Sequence, residues 1–170
     1  ELPGLLIQQL PTRHYRTEDV AAHLFGYVGE VSDEQLATAE FEAVRSGTVV
    51  GQSGIEQIYN ELLMGRDGAR QVVVDSIGRE IDTVGEQMPV EGRQLQLTLD
   101  YDLQEAAENA FAVGGFNGAA VVLDPRTGEI LALVSLPAYD PNAFALGIDQ
   151  DSWNALNQDT LRPLNNRALQ

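Results

Sequence analysis

The chemistry open to this chain starts with its six serines, because it has no cysteine to offer a thiol. A serine hydroxyl becomes a nucleophile when a base takes its proton, and on a helix a Lys three residues on is well placed to do so. Ser32, Ser46, Ser53, Ser76, Ser135 and Ser152 are followed at that distance by Gln35, Val49, Glu56, Arg79, Ala138 and Ala155. None is Lys. All 10 basic side chains are Arg, so a Schiff-base lysine, a phosphate-loop lysine and a Ser/Lys pair are all excluded. Ser152, Trp153 and Asn154 spell Ser-x-Asn, a pattern short enough to arise by chance, and the structural expectation for Ser152 is a helix N-cap.

The remaining reactive types give weaker patterns. His14 and His23 have no HExxH-like spacing, and a metal needs at least three converging ligands, so polar packing is expected and no metal or other cofactor. Asp100, Asp102 and Glu105, like Glu18 and Asp19, fall at predicted helix starts, where the helix dipole favours acids without any acid/base task. Gly51 and Gly54 miss the phosphate-loop spacing. Tyr27, Tyr59, Tyr101, Tyr139 and Trp153 interleave with no basic patch and are expected in the core or in turns.

Charge narrows the partners. A formal net charge of −16 over 170 residues disfavours nucleic acid and anionic lipid, whose binding runs on Lys/Arg contacts and counterion release. The apolar stretches Ala119 to Leu123 and Ile130 to Leu136 are far short of the roughly 18–20 residues that span a bilayer. The chain opens at Glu1 with neither Met nor a targeting segment, as expected of a piece of something longer.

The elements that must position these residues follow from periodicity. Leu5 to Leu10 alternates between Pro3, Gly4 and Pro11, predicting an extended strand. Thr17 is the expected cap of a helix carrying Glu18 and Asp19 in its first turn and Val20, Ala21, Leu24 and Phe25 on one face, ended by Gly26 and Gly29. Ser32 and Gln35 have capping-box spacing for a second helix through Leu36, Ala39, Ala43 and Val44 to about Ser46. Ile55 to Met64 predicts a third, closed by Gly65. Arg70 to Val74 and Arg79 to Val84 predict a hairpin, and the Pro89-containing connector Gly85 to Gly92 the main boundary. Beyond it come a strand at Gln94 to Leu99 and a helix at Asp102 to Val113 with Leu103, Ala106, Ala107, Ala110 and Phe111 on one stripe. A second hairpin pairs Ala119 to Leu123 with Glu129 to Leu136 around Asp124, Pro125, Arg126, Thr127 and Gly128. Pro137 to Gln170 is expected to be surface loop with at most a short helix at Ser152 to Leu156.

Segments in this order resemble the class B penicillin-binding proteins, in the branch serving rod elongation. The resemblance runs through ELPGLLIQQLPTRHY at 1–15, AAHLFGYVGEVS at 21–32, GQSGIEQIYNELLMGRDGARQVVVDSIGR at 51–79, LTLDYDLQEAAE at 97–108 and GAAVVLDPRTGEILALVSLPAYDPNAF at 118–144. It implies an α+β fold: a pedestal or dimerisation domain over 1–93, lacking its first segment, and the beginning of a transpeptidase domain over 94–170. It also implies structural roles for Arg13 and Tyr15 in a pedestal motif, for Gly54 and Glu56 in the segment at the pedestal's end, and for Asp124, Pro125, Thr127 and Gly128 in a hairpin turn. Gly54 and Gly128 are expected at positive dihedrals, and Glu56 in a charge-assisted bond to an Arg that the sequence leaves open.

In that family an Asn-Arg-Ala segment, matched by Asn166, Arg167 and Ala168, stands shortly before the catalytic Ser-x-x-Lys. The catalytic motifs would therefore lie beyond Gln170, and this chain alone is expected to be inactive. The resemblance implies an extracytoplasmic, membrane-anchored parent that crosslinks peptidoglycan stem peptides through a Ser ester and binds β-lactams there. A SEDS-type glycan polymerase and a rod-shape scaffold protein are the implied partners. Two other readings stay open: a free-standing adaptor pairing through the edge of the 119–136 hairpin, and a hydrolase using two converging carboxylates.

Overall fold

A computed structural model describes residues 12–16, 18–41 and 44–169. The expected strand at Leu5 to Leu10 with Pro3, Gly4 and Pro11, the Thr17 cap and Ala43 lie outside the described residues. Among the described residues, helices alternate with three two-stranded antiparallel sheets, an α+β arrangement.

The first helix, α1, is one turn, Ala22–Phe25, and begins later than the sequence suggests. Glu18 and Asp19 precede it in turns, and Glu18 and Ala21 hold positive φ of 49° and 54°. Gly26 ends it at φ 76°. Gly29 is not a helix end but the centre of β1 (Val28–Glu30), which pairs with β2 (Val49–Gly51), two strands too short to show a period. Between them Ser32 forms the full capping box with Gln35, yet α2 spans only Asp33–Leu36. The Thr38 hydroxyl donates to the Gln35 carbonyl at 2.7 Å, drawing that acceptor out of a longer helix, and a 3-10 turn, Ala39–Phe41, follows.

The expected single helix at 55–64 is two, α3 (Gly54–Ile58) and α4 (Asn60–Met64), broken at Tyr59. The break places the Asn60 amide oxygen 2.9 Å from the Gly51 N–H, which ties α4 to β2. After Gly65 comes the hairpin of β3 (Ala69–Val74) and β4 (Glu80–Gln87), closed at its base by the Arg66–Val90 bridge. Residues 94–100 form no ladder. Leu95, Leu97 and Leu99 do alternate inward, but the segment is held by isolated bonds, Thr98 Oγ1 to the Ile130 carbonyl and Asp100 N to the Leu131 carbonyl.

Helix α5 (Tyr101–Gly114) is capped by Asp100, whose carboxylate accepts from the Leu103 N–H at 3.0 Å. Its inward stripe is Leu103, Gln104, Ala107, Glu108 and Phe111; Ala106 and Ala110 face solvent, so the stripe includes two polar residues the apolar count passed over. The helix packs on β6 (Ile130–Leu136), partner of β5 (Gly118–Leu123).

The expected surface loop after Pro137 is folded and carries much of the core. Two of its Asp residues are helix N-caps: Asp140 starts α6 (Pro141–Ala145), with Pro141 at its first position, and Asp149 starts α7 (Gln150–Gln158). Ser152 is thus inside α7, not its cap, and its hydroxyl donates to Asp149 at 2.7 Å. Tyr139 and Phe144 bury against Ala22, with Tyr27, Trp153 and Leu164 around them. Tyr27 stacks on Phe144 at 4.0 Å between ring centroids, and Tyr139 and Trp153 meet Phe144 edge-on at 5.4 and 6.1 Å. Each such pair is worth about 0.5–1.5 kcal/mol beyond burial. A second core, Val31, Phe41 and Val50, lies under β1 and β2.

Candidate functional site

The sequence-expected residues fall into two places. At the first, Arg13 Nε donates to Glu56 Oε1 at 2.6 Å, closing the choice of arginine that the sequence left open. Glu56 is buried on α3, while Arg13 keeps 43% of its side chain exposed. The carboxylate holds the guanidinium pKa above its ordinary value by this hydrogen bond. Tyr15, also buried, packs beside the pair; burial first, and the charge of Glu56 second, push its phenol well above the ordinary range, so it stays neutral.

What lets Glu56 reach inward is backbone contact on both sides. Gly54 has φ 59°, and a Cβ there would meet Gly26 N and Leu24 O at 2.6 Å. A Cβ on Gly51 would sit 1.9 Å from the Glu56 carbonyl oxygen. The glycines of GQSG therefore admit the end of α1 and the chain of α3, not a phosphate. The cleft beside the ion pair, about 600 Å³, has Arg13, Glu56, Phe25, Ile55, Leu63 and Leu97 in its lining and no serine or histidine.

The second place is the hairpin turn. Asp124 accepts from the Arg126 N–H at 2.8 Å and from its guanidinium at 2.8 Å, and these bonds hold the Asp124 carboxyl below its ordinary pKa. The Gly128 N–H donates to the Asp124 carbonyl at 2.8 Å, with Gly128 at φ 80°. Thr127 Oγ1 donates to Glu129 at 2.9 Å, and Pro125 sits between Asp124 and Arg126 in the same turn. These bonds fix the turn between the two strands, and the Thr127 hydroxyl is committed to Glu129. The structure does not bring the two places together: Arg13, Tyr15, Gly54 and Glu56 share one node, and Asp124, Pro125, Thr127 and Gly128 another.

Asn142 and Gln104, which the sequence did not single out, and His23, expected in polar packing, join the two halves. The Asn142 amide bonds both ways with Tyr15, accepting from its N–H at 2.8 Å and donating to its carbonyl at 3.0 Å. His23 Nε2 lies 2.7 Å from the Pro163 carbonyl, so this nitrogen carries the proton. The Gln104 amide accepts from Leu133 N at 2.7 Å and donates to Leu133 O at 3.0 Å. Leu131 and Leu133 face the same strand edge, so β6 is covered where an adaptor's partner strand would pair. The one legible signal was a polar pair, Gln104 and Glu108, set at helical spacing within an apolar stripe.

Chemically these sites hold and orient. Ser135 Oγ is committed to the Asn165 carbonyl and the Arg167 N–H, and Ser32 to its cap. The buried Glu56 and the half-buried Glu108 lie on different helices with different partners, so they do not form a carboxylate pair. Among the described residues no three His, Asp or Glu side chains group for a metal, and no helix is long and apolar enough to cross a membrane.

A glycine-packed ion-pair node is followed along the chain by a helix-backed hairpin. The family model described as the Penicillin-binding Protein dimerisation domain matches residues 1–97, and the Penicillin binding protein transpeptidase domain matches residues 118–170. The chain belongs to the penicillin-binding protein family.

It is 39% identical over 170 residues to the peptidoglycan D,D-transpeptidase MrdA of Acinetobacter baumannii, covering 100% of this chain and 25% of that protein. The Escherichia coli K12 MrdA is 38% identical over 175 residues, covering 99% of this chain and 27% of that protein. Among solved structures, PBP2 in complex with MreC from Helicobacter pylori matches with TM-score 0.78 and 37% identity, over 92% of this chain and 29% of that one. Pseudomonas aeruginosa PBP2 in complex with WCK 5153 matches with TM-score 0.70 and 37% identity, over 92% and 30%. The chain spans about a quarter of the length of the curated relatives it matches.

Proposed function

We infer that this chain supplies the pedestal, over 1–93, and the opening elements of the catalytic unit, over 94–170, of a peptidoglycan D,D-transpeptidase of cell-wall elongation. Its own work is to hold and space the catalytic unit and to receive partners. The observation that carries this reading is whole-length similarity to MrdA proteins in a chain without a single Lys. Acyl transfer through a Ser-x-x-Lys serine needs the Lys amine beside the hydroxyl, and no serine here has one; Ser152 meets only the carboxylate of Asp149, the cap of its own helix. The stem-peptide ester, and the β-lactam adduct that mimics it, belong to sequence outside this chain.

Localisation and partners follow the same reading. The protein works on the extracytoplasmic face of the bacterial inner membrane, anchored upstream. The Helicobacter pylori relative is held in a complex with MreC, which supports a rod-shape scaffold partner; a SEDS-type polymerase is the second. Incubating the 170-residue chain with a fluorescent penicillin tests the division of labour. No covalent label is expected, and an adduct mapped to any of its serines overturns it.

A further inference from the structure

Glu108 and Gln104 stand one turn apart on α5, inside the segment 97–108, and the sequence gives neither a role. Glu108 Oε1 accepts two bonds, from the Ala21 N–H at 2.9 Å and from Gln104 Nε2 at 2.6 Å. The same Gln104 amide clamps both backbone groups of Leu133. A continuous run of hydrogen bonds thus passes from the entry of α1, through two side chains of α5, to the outer edge of β6. It is dry at its centre, where Gln104 is 1% exposed.

The Ala21 end carries backbone strain. Its φ of 54° is a conformation non-glycine residues rarely hold, and such a residue persists where its surroundings over-determine it. Here the surroundings are the Glu108 bond, Tyr139 Oη donating to the Ala22 carbonyl at 3.4 Å, and the His23 bond to Pro163. Asp19 and, on the same helix, Tyr101 are the ionisable groups whose charges couple to Glu108. Among the described residues no ion pair is made to this carboxylate, and its two N–H donors fix its place.

We propose that Glu108 and Gln104 are positioning residues that lock α1 to β6 as one unit, so that the seating of the first helix and the outer edge of β6 open and close together. This goes beyond the catalytic reading and does not depend on it.

Hydrogen–deuterium exchange by mass spectrometry on the intact protein tests it, using peptides spanning 18–25, 131–135 and 48–52. Glu108→Ala is expected to speed exchange at Ala21 and also at Leu133, which Glu108 does not touch, by about fivefold or more at each. Gln104→Ala should speed exchange at Leu133 and also at Ala21, which it reaches only through Glu108, and the double variant should add little to either. Glu108→Gln keeps the shape and weakens the acceptor, so it should give the same two-site pattern at smaller amplitude, with Val50 of the other core unchanged. Effects confined to each residue's own neighbour, full additivity in the double variant, or equal acceleration at Val50 in Glu108→Gln would each overturn the proposal. None of these readouts involves penicillin labelling, so the two readings can fail separately.

Discussion

Arg13 Nε and Glu56 Oε1 lie 2.6 Å apart and join segments 43 residues distant in the chain. The bond is asymmetric: the acid is buried and the base is half in solvent. Removing the base strands a carboxylate away from water, whereas removing the acid leaves an arginine able to turn outward. Arg13→Ala should therefore cost more than Glu56→Gln, about 1.5–3 kcal/mol against roughly 1. Urea midpoints of the two variants check this, and a larger loss for Glu56→Gln would reverse the assignment.

Gly54 and Gly128 share a left-handed backbone but differ in room. A Cβ at Gly54 meets backbone atoms at 2.6 Å, while at Gly128 nothing lies within 4 Å. Gly128→Ala should cost only the conformational term, about 1–2 kcal/mol. Gly54→Ala adds an overlap that rigid backbone cannot relieve and should lose at least about 2 kcal/mol more. Thermal or urea unfolding of the two variants gives the difference directly; equal losses would mean that the Leu24–Gly26 backbone yields.

His23 makes stability pH-dependent in a definite direction. Burial first, and the nearby Arg167 charge, lower its pKa from 6.5, so between that value and the folded one the unfolded chain binds more protons. Stability is complete above about pH 6.5 and falls as pH drops through the window, no more steeply than about 1.4 kcal/mol per pH unit for one proton. Glu108 runs the other way. Burial raises its pKa from 4.5, so its folded form holds the extra proton and stability falls as pH rises through that window. His23→Gln keeps a donor for the Pro163 carbonyl and should abolish the acid-side loss. Urea midpoints at pH 7.5, 6.5 and 5.5 check this; an unchanged slope would place the titration elsewhere.

The legible parts of the fold were those written in local chemistry. The Ser32–Gln35 box, the Asp100 cap and the turn between Asp124 and Gly128 each need only residues a few positions apart, and each forms. The elements that failed depend on partners far along the chain. Leu95, Leu97 and Leu99 alternate like a strand, but among the described residues the segment meets β6 through the Thr98 and Asp100 bonds at Ile130 and Leu131 and forms no ladder. The segment after Pro137 has no long apolar period, yet Asp140 and Asp149 cap helices there whose apolar partners lie far along the chain. Of the candidate site, residue types were readable and pairing was not: nothing local to Arg13 points at Glu56.

Asn142 shows most plainly what periodicity cannot report. Its side-chain amide bonds to both the N–H and the carbonyl of Tyr15, as the next strand of a sheet would. Gln104 does the same for Leu133. A primary amide carries a donor and an acceptor side by side, so it can satisfy a backbone edge where no strand is available. Asn142→Asp keeps the size and loses the donor, setting a carboxylate against the Tyr15 carbonyl. It should cost about 1–3 kcal/mol and speed amide exchange around Tyr15. Asn142→Ala should lose both bonds but let water replace them at this half-buried site, and so should cost less than Asn142→Asp. If Asn142→Asp is as stable as the parent, the Tyr15 carbonyl does not depend on this donor, and the tie between the Arg13–Glu56 node and α6 must rest on the aromatic packing alone.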